Sequence, residues 1–373
     1  MTDPCRTLDV VLTRSCNLQC DYCPIVPAQD EPGPDIEKVL KSVSAFFSAH
    51  LPFDPAKPAP HLVVNITGGE PLLRLDAVKM LVNAINIICA STGLFIDVTL
   101  KTNLLLLDAE TLDYLVLNNV TILPRIDGCP KAHDTWRSVD GESTWGQVTE
   151  NAVALLQKQP NAVVQMAVTP QTIDKYAESI FDLYGLGFKH IHPVFPSLEP
   201  MPSESFAALD IQVRKICDWW VGIVQGGGDL TISWIEQMYR ALEAGKPVAT
   251  CKPCVERLAI GPTGTLYPCY AFALSPLKHW NLANVKNTER MERLFGDAEN
   301  AYMNDRPSQC SDCELKDYCL PSCYWRAVAT KSFSACCGKG VRIKPTGDFC
   351  QIQRIYFAEA VRAFRILRGE PVE

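Results

Sequence analysis

Between residue 7 and about residue 200, short apolar runs alternate with helix-length segments, and this alternation restricts the fold more than any other feature. Leu8–Thr13, His61–Thr67, Leu94–Thr102, Val120–Ile126, Ala162–Val168 and Phe188–Val194 read as strands. Asp35–His50, Asp76–Ala90, Asp108–Leu117, Thr149–Lys158 and Ile173–Leu183 read as the intervening helices, and a sixth lies near Phe206–Val224. Parallel neighbours need a crossover of helix length, so the repetition predicts an α/β fold with a parallel sheet under outer helices. Six units suit an open partial barrel or a doubly wound sheet, and periodicity does not choose between them. In both, ligand sites gather at the carboxyl ends of the strands.

Those ends hold the unusual residues. Cys16-Asn-Leu-Gln-Cys20-Asp-Tyr22-Cys23 follows the first strand, Thr67-Gly68-Gly69-Glu70-Pro71 the second, Thr102-Asn103 the third and Asp127-Gly128 the fourth. Three thiolates on a short loop can hold three corners of a cubane iron–sulfur cluster and leave the fourth iron open to a ligand. A zinc loop or three core cysteines would also account for the triplet alone. The glycine pair lets backbone approach a ligand closely, and Glu70 could orient or hold the strand end.

Cysteine usage marks a second region. Of 17 cysteines, three lie at 16–23, three at 251–269 and seven between 310 and 350. Such clustering in a chain of 373 residues fits metal thiolates in a reducing, cytoplasmic setting better than a disulfide framework. Cys254, Gly264 and Cys269 come first, then Cys310-x2-Cys313-x5-Cys319-x3-Cys323, then Cys350. Tetrahedral zinc sites would also use the Cys-x2-Cys pairs. The resulting division is 1–230 for the barrel, 231–250 for a bridging helix and 251–373 for a cysteine-rich domain with a hairpin at Arg257–Tyr267 and a final helix at Ile352–Leu367. A net charge of −7 gives no nucleic-acid footprint, and no apolar run approaches membrane length.

Together the triplet, with an aromatic residue before its last cysteine, and the Gly68-Gly69-Glu70 strand end resemble the radical S-adenosylmethionine (SAM) superfamily. The resemblance implies a partial (β/α)6 TIM-type barrel in which Cys16, Cys20 and Cys23 hold a [4Fe–4S] cluster that cleaves SAM to a 5′-deoxyadenosyl radical. It gives Tyr22 to the adenine, Gly68, Gly69 and Glu70 to the amino end, and Asn103 to polar contacts near the ribose. His133-Asp134-x-x-Arg137, Asp140-Gly141 and Thr144-Trp145 look like the fourth unit of peptide-modifying members, which implies that Arg137 meets the SAM carboxylate. Arg125 departs from that pattern, since relatives often have a small hydroxyl residue there. The second cysteine series resembles the SPASM domain. That likeness implies two auxiliary [4Fe–4S] clusters, one on Cys251, Cys254, Cys269 and Cys323 and the other on Cys310, Cys313, Cys319 and Cys350.

Two auxiliary clusters suit removal of an electron from a substrate radical. The expected activity is therefore an oxidoreductase-type maturation of a ribosomally made precursor peptide through a C–C, C–O or C–S crosslink. A flavodoxin or ferredoxin would serve as one-electron reductant. The cysteine loop begins at residue 16, so no peptide-recognition domain is expected ahead of the barrel, and the chain is expected to hold the peptide otherwise, to borrow a separate recognition protein or to act on something smaller. A small-molecule dehydrogenase or epimerase is the alternative. A sulfatase formylglycine maturase is disfavoured, because Tyr270 follows Cys269 where those relatives carry an aspartate. Cys5, Cys89, Cys129 and Cys217 read as small buried hydrophobes. Cys336-Cys337 reads as a spare ligand, a hydrogen-atom donor or two loop thiols. His61, His133, His190 and His192 read as structural, His192 being the one nearest the barrel mouth.

Overall fold

The computed structural model describes residues 6–23, 33–51, 61–196, 201–247, 257–274, 308–319, 333–335, 341–343 and 347–371. Cys5, Cys251, Cys254, Cys323, Cys336 and Cys337 lie outside the described residues.

Seven parallel strands follow one another in space in chain order: β1 (Thr7–Thr13), β2 (His61–Gly68), β3 (Phe95–Thr102), β4 (Val120–Pro124), β5 (Val163–Ala167), β6 (His190–Val194) and β7 (Thr231–Ile232). β1 to β4 form one ladder and β5 to β7 another. The bridge Arg125↔Gln165 joins them, with the Ile126 N–H donating to Gln165 O at 3.0 Å. The order never reverses between β1 and β7, which decides for an open barrel over a doubly wound sheet.

Outside the strands lie α1 (Ile36–Ser48), α2 (Leu75–Thr92), α3 (Ala109–Leu117), α4 (Pro130–Arg137), α5 (Trp145–Lys158), α6 (Tyr176–Gly185), α7 (Ser203–Gln225) and α8 (Ser233–Ala244). Asp35 and Asp108 start α1 and α3 as N-caps, accepting from Lys38 N at 3.2 Å and Thr111 N at 2.8 Å. Strand alternation sends Leu8, Val10, Leu12, Leu62, Val64, Ile66, Val98 and Leu100 outward into one apolar core with Val39, Val43, Leu81 and Ile85 of the helices. The opposite face of the same strands presents Asp9, Asn65 and Lys101 to the barrel interior. Two elements go beyond the periodicity reading. Helix α4 occupies a stretch with no apolar stripe, and α5 begins at Trp145, four residues before Thr149.

The hairpin of β8 (Arg257–Ile260) and β9 (Leu266–Tyr267) extends the same sheet, because β8 pairs in parallel with β1 from Thr7↔Arg257 to Val10↔Ile260. Its tip seats on α1. A Cβ at Gly264 would lie 2.8 Å from Lys38, and Ser42 Oγ donates to Gly264 O at 2.8 Å. A short helix α9 (Tyr270–Leu274) follows, then α10 (Ser308–Ser311), the two-stranded β10 (Phe333–Ala335) and β11 (Val341–Ile343), and α11 (Gly347–Arg368). α11 packs on α7 and α8 through Tyr356, Ala360 and Phe364. Tyr356 stacks on Trp234 at 4.2 Å, and its hydroxyl lies 3.1 Å from that of Tyr176. Among the described residues no helix is long and apolar enough to cross a membrane.

Candidate functional site

The cysteine loop leaves β1 and is held down by the end of β2. Gly69 N donates to Thr13 O and Glu70 N to Ser15 O, each at 2.9 Å. A Cβ on Gly68 would lie 2.4 Å from Thr13 O, and one on Gly69 2.2 Å from Ser15 O. The glycine pair is thus needed for the protein's own loop to approach. Glu70, wholly buried, accepts from Leu72 N at 3.0 Å, Thr102 Oγ1 at 2.9 Å and Asn103 N at 2.8 Å, so it ties the ends of β2 and β3 together. Burial pushes its carboxyl up, and these three donors oppose the shift. Asn103 carries the tie to the loop: its amide donates to Asn17 Oδ1 at 2.8 Å and reaches Cys16 Sγ at 4.0 Å.

A second hub forms on Asp127, just past β4. Arg137 grips it with two bonds, Nε to Oδ2 at 2.7 Å and Nη2 to Oδ1 at 3.2 Å. Tyr22 of the cysteine loop donates to Oδ2 at 2.5 Å, and Ala167 N, at the end of β5, to Oδ1 at 2.9 Å. One carboxylate therefore joins β4, α4, β5 and the cysteine loop. Burial opposes its charge, but Arg137 and the other donors hold Asp127 below the usual carboxylate range. Tyr22 also meets the edge of Trp136 at 6.2 Å. The sequence marked Asp127 only as a strand end, and nothing local announced the hub.

The motif from His133 to Trp145 builds the support for Arg137. Asp140 and Gly141 take φ of 52° and 82°, the positive pair of a tight hairpin turn, and Val139 and Glu142 bridge around them. The fold-back brings Thr144 to α4, where its hydroxyl donates to Arg137 O at 2.7 Å and its N–H to Asp134 Oδ1 at 3.2 Å. Asp127 N donates to His133 Nδ1 at 3.3 Å, which leaves the ring proton on Nε2, 3.1 Å from Thr144 Oγ1. Burial, aided by the Arg137 charge, pushes His133 down to about 4, so it is neutral. Its role is to orient the loop, as the structural reading of that histidine expects. Cys129 and Cys217 are buried, in agreement with their reading as small hydrophobes.

The sequence profile of the radical SAM superfamily matches residues 10–184, a span that contains the cysteine loop, the glycine strand end and both carboxylate hubs. The chain carries a radical SAM domain. Its structure is similar to native anSMEcpe with bound AdoMet (TM-score 0.73, 18% identity, covering 97% of this chain and 99% of that one). It is also similar to native anSMEcpe with bound AdoMet and Kp18Cys peptide (0.75, 19%, 98% and 100%). Streptococcus suis SuiB bound to precursor peptide SuiA matches at 0.56 and 15%, covering 87% and 73%. At these identities the likeness speaks for the fold.

A radical SAM domain implies SAM and a [4Fe–4S] cluster, and the triplet suits the cluster. Cys16, Cys20 and Cys23 are free and partly exposed. Burial pushes Cys16 up to about 11, and Glu70, Cys20 and Cys23 add to the shift, with only the Leu18 N–H opposing it. Three thiols this close resist ionising together, and cationic iron relieves that repulsion. The second cysteine series is brought partly into place. Cys269 is buried after β9, and Cys23 and Tyr270 pack against one small apolar cluster of Val11, Ala259, Ala273 and Leu274. The Cys350 thiol, at the start of α11, is pushed up by burial and then by Cys310, with Cys313 adding. Among the described residues no three His, Cys, Asp or Glu side chains converge on a single-ion site.

Below the strand ends the barrel interior is charged. Asp9 accepts from Asn65 Nδ2 at 2.9 Å and Arg257 Nη1 at 3.3 Å. Lys101, Arg125 and His192 occupy the next inward positions. Lys101 Nζ lies 5.1 Å from the Tyr270 ring centroid, and burial pushes its ammonium down to about 8. His192, its Nδ1 2.8 Å from Ser233 Oγ, is also pushed down, by burial and then by Lys101.

Proposed function

We propose that this chain is a radical SAM enzyme that oxidises a ribosomally made peptide, joining two side chains. The observation that carries the reading is the packing of Cys23 and Tyr270 on one apolar cluster beside Cys269, which sets the two cysteine systems side by side. The similar structures holding AdoMet with a peptide, and SuiB with its precursor, support a peptide as substrate. In this reading Cys16, Cys20 and Cys23 ligate the SAM cluster. Cys251, Cys254, Cys269 and Cys323 ligate one auxiliary cluster, and Cys310, Cys313, Cys319 and Cys350 the other. Tyr22, Gly68, Gly69, Glu70, Asn103 and Arg137 frame SAM. Arg137 would meet it with the part of its fork that Asp127 leaves.

When bound, these groups supply a 5′-deoxyadenosyl radical and an acceptor for one electron. Crosslinking removes two hydrogens, one as an atom taken by the adenosyl carbon and one as a proton whose electron goes to the acceptor. Residues of the chain keep this chemistry dry: Tyr22, Asp127 and Arg137 lock the cysteine loop over the barrel, and the buried Glu70 anchors its other side.

The sulfatase-maturase reading ranks lower. Tyr270 stands where a basic carboxylate would be needed, and the Lys101 cation lies beside its ring.

The test is anaerobic reconstitution with SAM, reductant and short peptides encoded beside the gene. Three clusters predict about twelve irons per chain, falling to about eight with Cys16, Cys20 and Cys23 replaced by Ala. A peptide mass loss of about 2 Da marks the crosslink, since two hydrogens leave. An unchanged mass in ordinary water, with one deuterium gained at carbon in heavy water, would replace oxidation by epimerisation.

A further inference from the structure

The charged groups inside the barrel fall into two levels that differ in pairing. At the lower level Asp9 is matched by Arg257 and Asn65. At the upper level are Thr67, Lys101 and Arg125. Ile66↔Leu100 register makes Thr67 and Lys101 side-by-side neighbours on the inward face. Lys101 opposes Leu123, so Arg125 lies two residues further toward the carboxyl end on that same face.

None of the three side chains has a hydrogen-bond or ion-pair partner among the described residues, although Asp9 attracts Lys101 and Glu70 attracts Arg125 from beyond contact distance. Thr67 is wholly buried, and its Oγ1 and the Arg125 Nε are the only buried side-chain nitrogen or oxygen atoms among the described residues without one. The nearby carboxylates are already committed. Glu70 accepts three protein donors, Asp127 four, and Asp9 two. A buried guanidinium nitrogen and a buried hydroxyl left without partners are costly, and two cations without a contacting carboxylate on one wall repel. A ligand that supplies anionic oxygens removes both penalties at once.

We infer that Thr67, Lys101 and Arg125 form a receptor for a carboxylate of the substrate, so that the enzyme selects an acidic peptide side chain or a chain-terminal carboxylate. The inference rests on the barrel being the substrate chamber of the proposed reaction. The Lys101 ammonium, beside Tyr270 and hence next to Cys269, would draw the acidic group toward the seam between the two cysteine systems. His192, hydrogen-bonded to Ser233, sits near enough to Lys101 to feel its charge.

The test uses the reconstituted full chain with SAM bound and two probes, N-acetylglutamate N-methylamide and its glutamine counterpart, followed by ligand-observed NMR. SAM binding is measured in parallel by equilibrium dialysis. The expected result is a preference of at least tenfold for the acid, removed by Lys101→Met or Arg125→Leu, with SAM affinity held within threefold. Lys101→Arg should restore the preference. The isosteric Thr67→Val, which keeps the packing, should weaken the acid three- to tenfold and serves if the charge variants fail to load iron. Equal binding of acid and amide by the wild type would overturn the receptor. Loss of SAM with the acid unaffected would also overturn it, giving these residues to the SAM carboxylate instead. Acid preference in a chain that leaves peptides unmodified would keep the receptor and remove the maturase reading.

Discussion

Arg125, just past β4, and Arg137, the last residue of α4, meet opposite environments. Arg137 is gripped through Nε and Nη2 by Asp127, and the carboxylate that holds it also holds the cysteine loop through Tyr22. Arg125 has its Nε buried and unpartnered, facing the chamber. The first is an internal girder whose charge the chain itself answers. The second is an open valence. A cation in a barrel is therefore not a binding group by virtue of charge alone; what matters is whether the chain has already answered it.

The difference can be broken from the paired side first. Asp127→Ala leaves Arg137 buried without a counter-charge and should cost about 3–5 kcal/mol in urea unfolding of the apo chain. A loss below about 1 kcal/mol would mean that Arg137 relaxes to solvent, contrary to the girder role. Protonation of His133 is the next largest effect. Its folded value near 4 lies below the ordinary 6.5, so the unfolded chain binds the extra proton first. Stability should be full above about pH 6.5 and decline toward pH 4, by on the order of 3 kcal/mol, with His133→Gln removing that part of the slope. Gly69→Ala should cost about 1–3 kcal/mol and lower iron loading, because the new methyl meets the Ser15 carbonyl. Arg125→Leu sharpens the contrast from the open side: a thermal melt of the apo chain should move by less than about 1 kcal/mol, or upward, since an unanswered charge is removed.

Most of the barrel was legible because its strands and helices obey their own periods. Leu8–Thr13 and Asp108–Leu117 match the observed elements to within a residue. α4 escaped the pattern because Pro-Lys-Ala-His-Asp-Thr-Trp-Arg buries Ala132, His133 and Arg137, and two of those three are polar. The cysteine loop and the glycine pair were visible as motifs, but the reason for the glycines was not. They read as space for a ligand, and the space is taken by Thr13 to Ser15. Asp127 was invisible as a hub since its partners stand 105, 10 and 40 residues away. Arg125 stood out only as a departure from the pattern of the relatives, and no motif pointed to Lys101. Only closure of the sheet turns that face inward.

The pairing of β8 with β1 has a consequence for how the protein comes into being. Thr7 meets Arg257, residues 250 apart, on the strand that bears the cysteine loop. Synthesis at about 5–20 residues per second keeps that edge of β1 unpaired for roughly 12–50 s. During this interval the loop can be anchored on its β2 side while its other flank stays open. The flank of β1 beside the thiolates therefore closes only after the rest of the parallel sheet has been made, when β8 arrives.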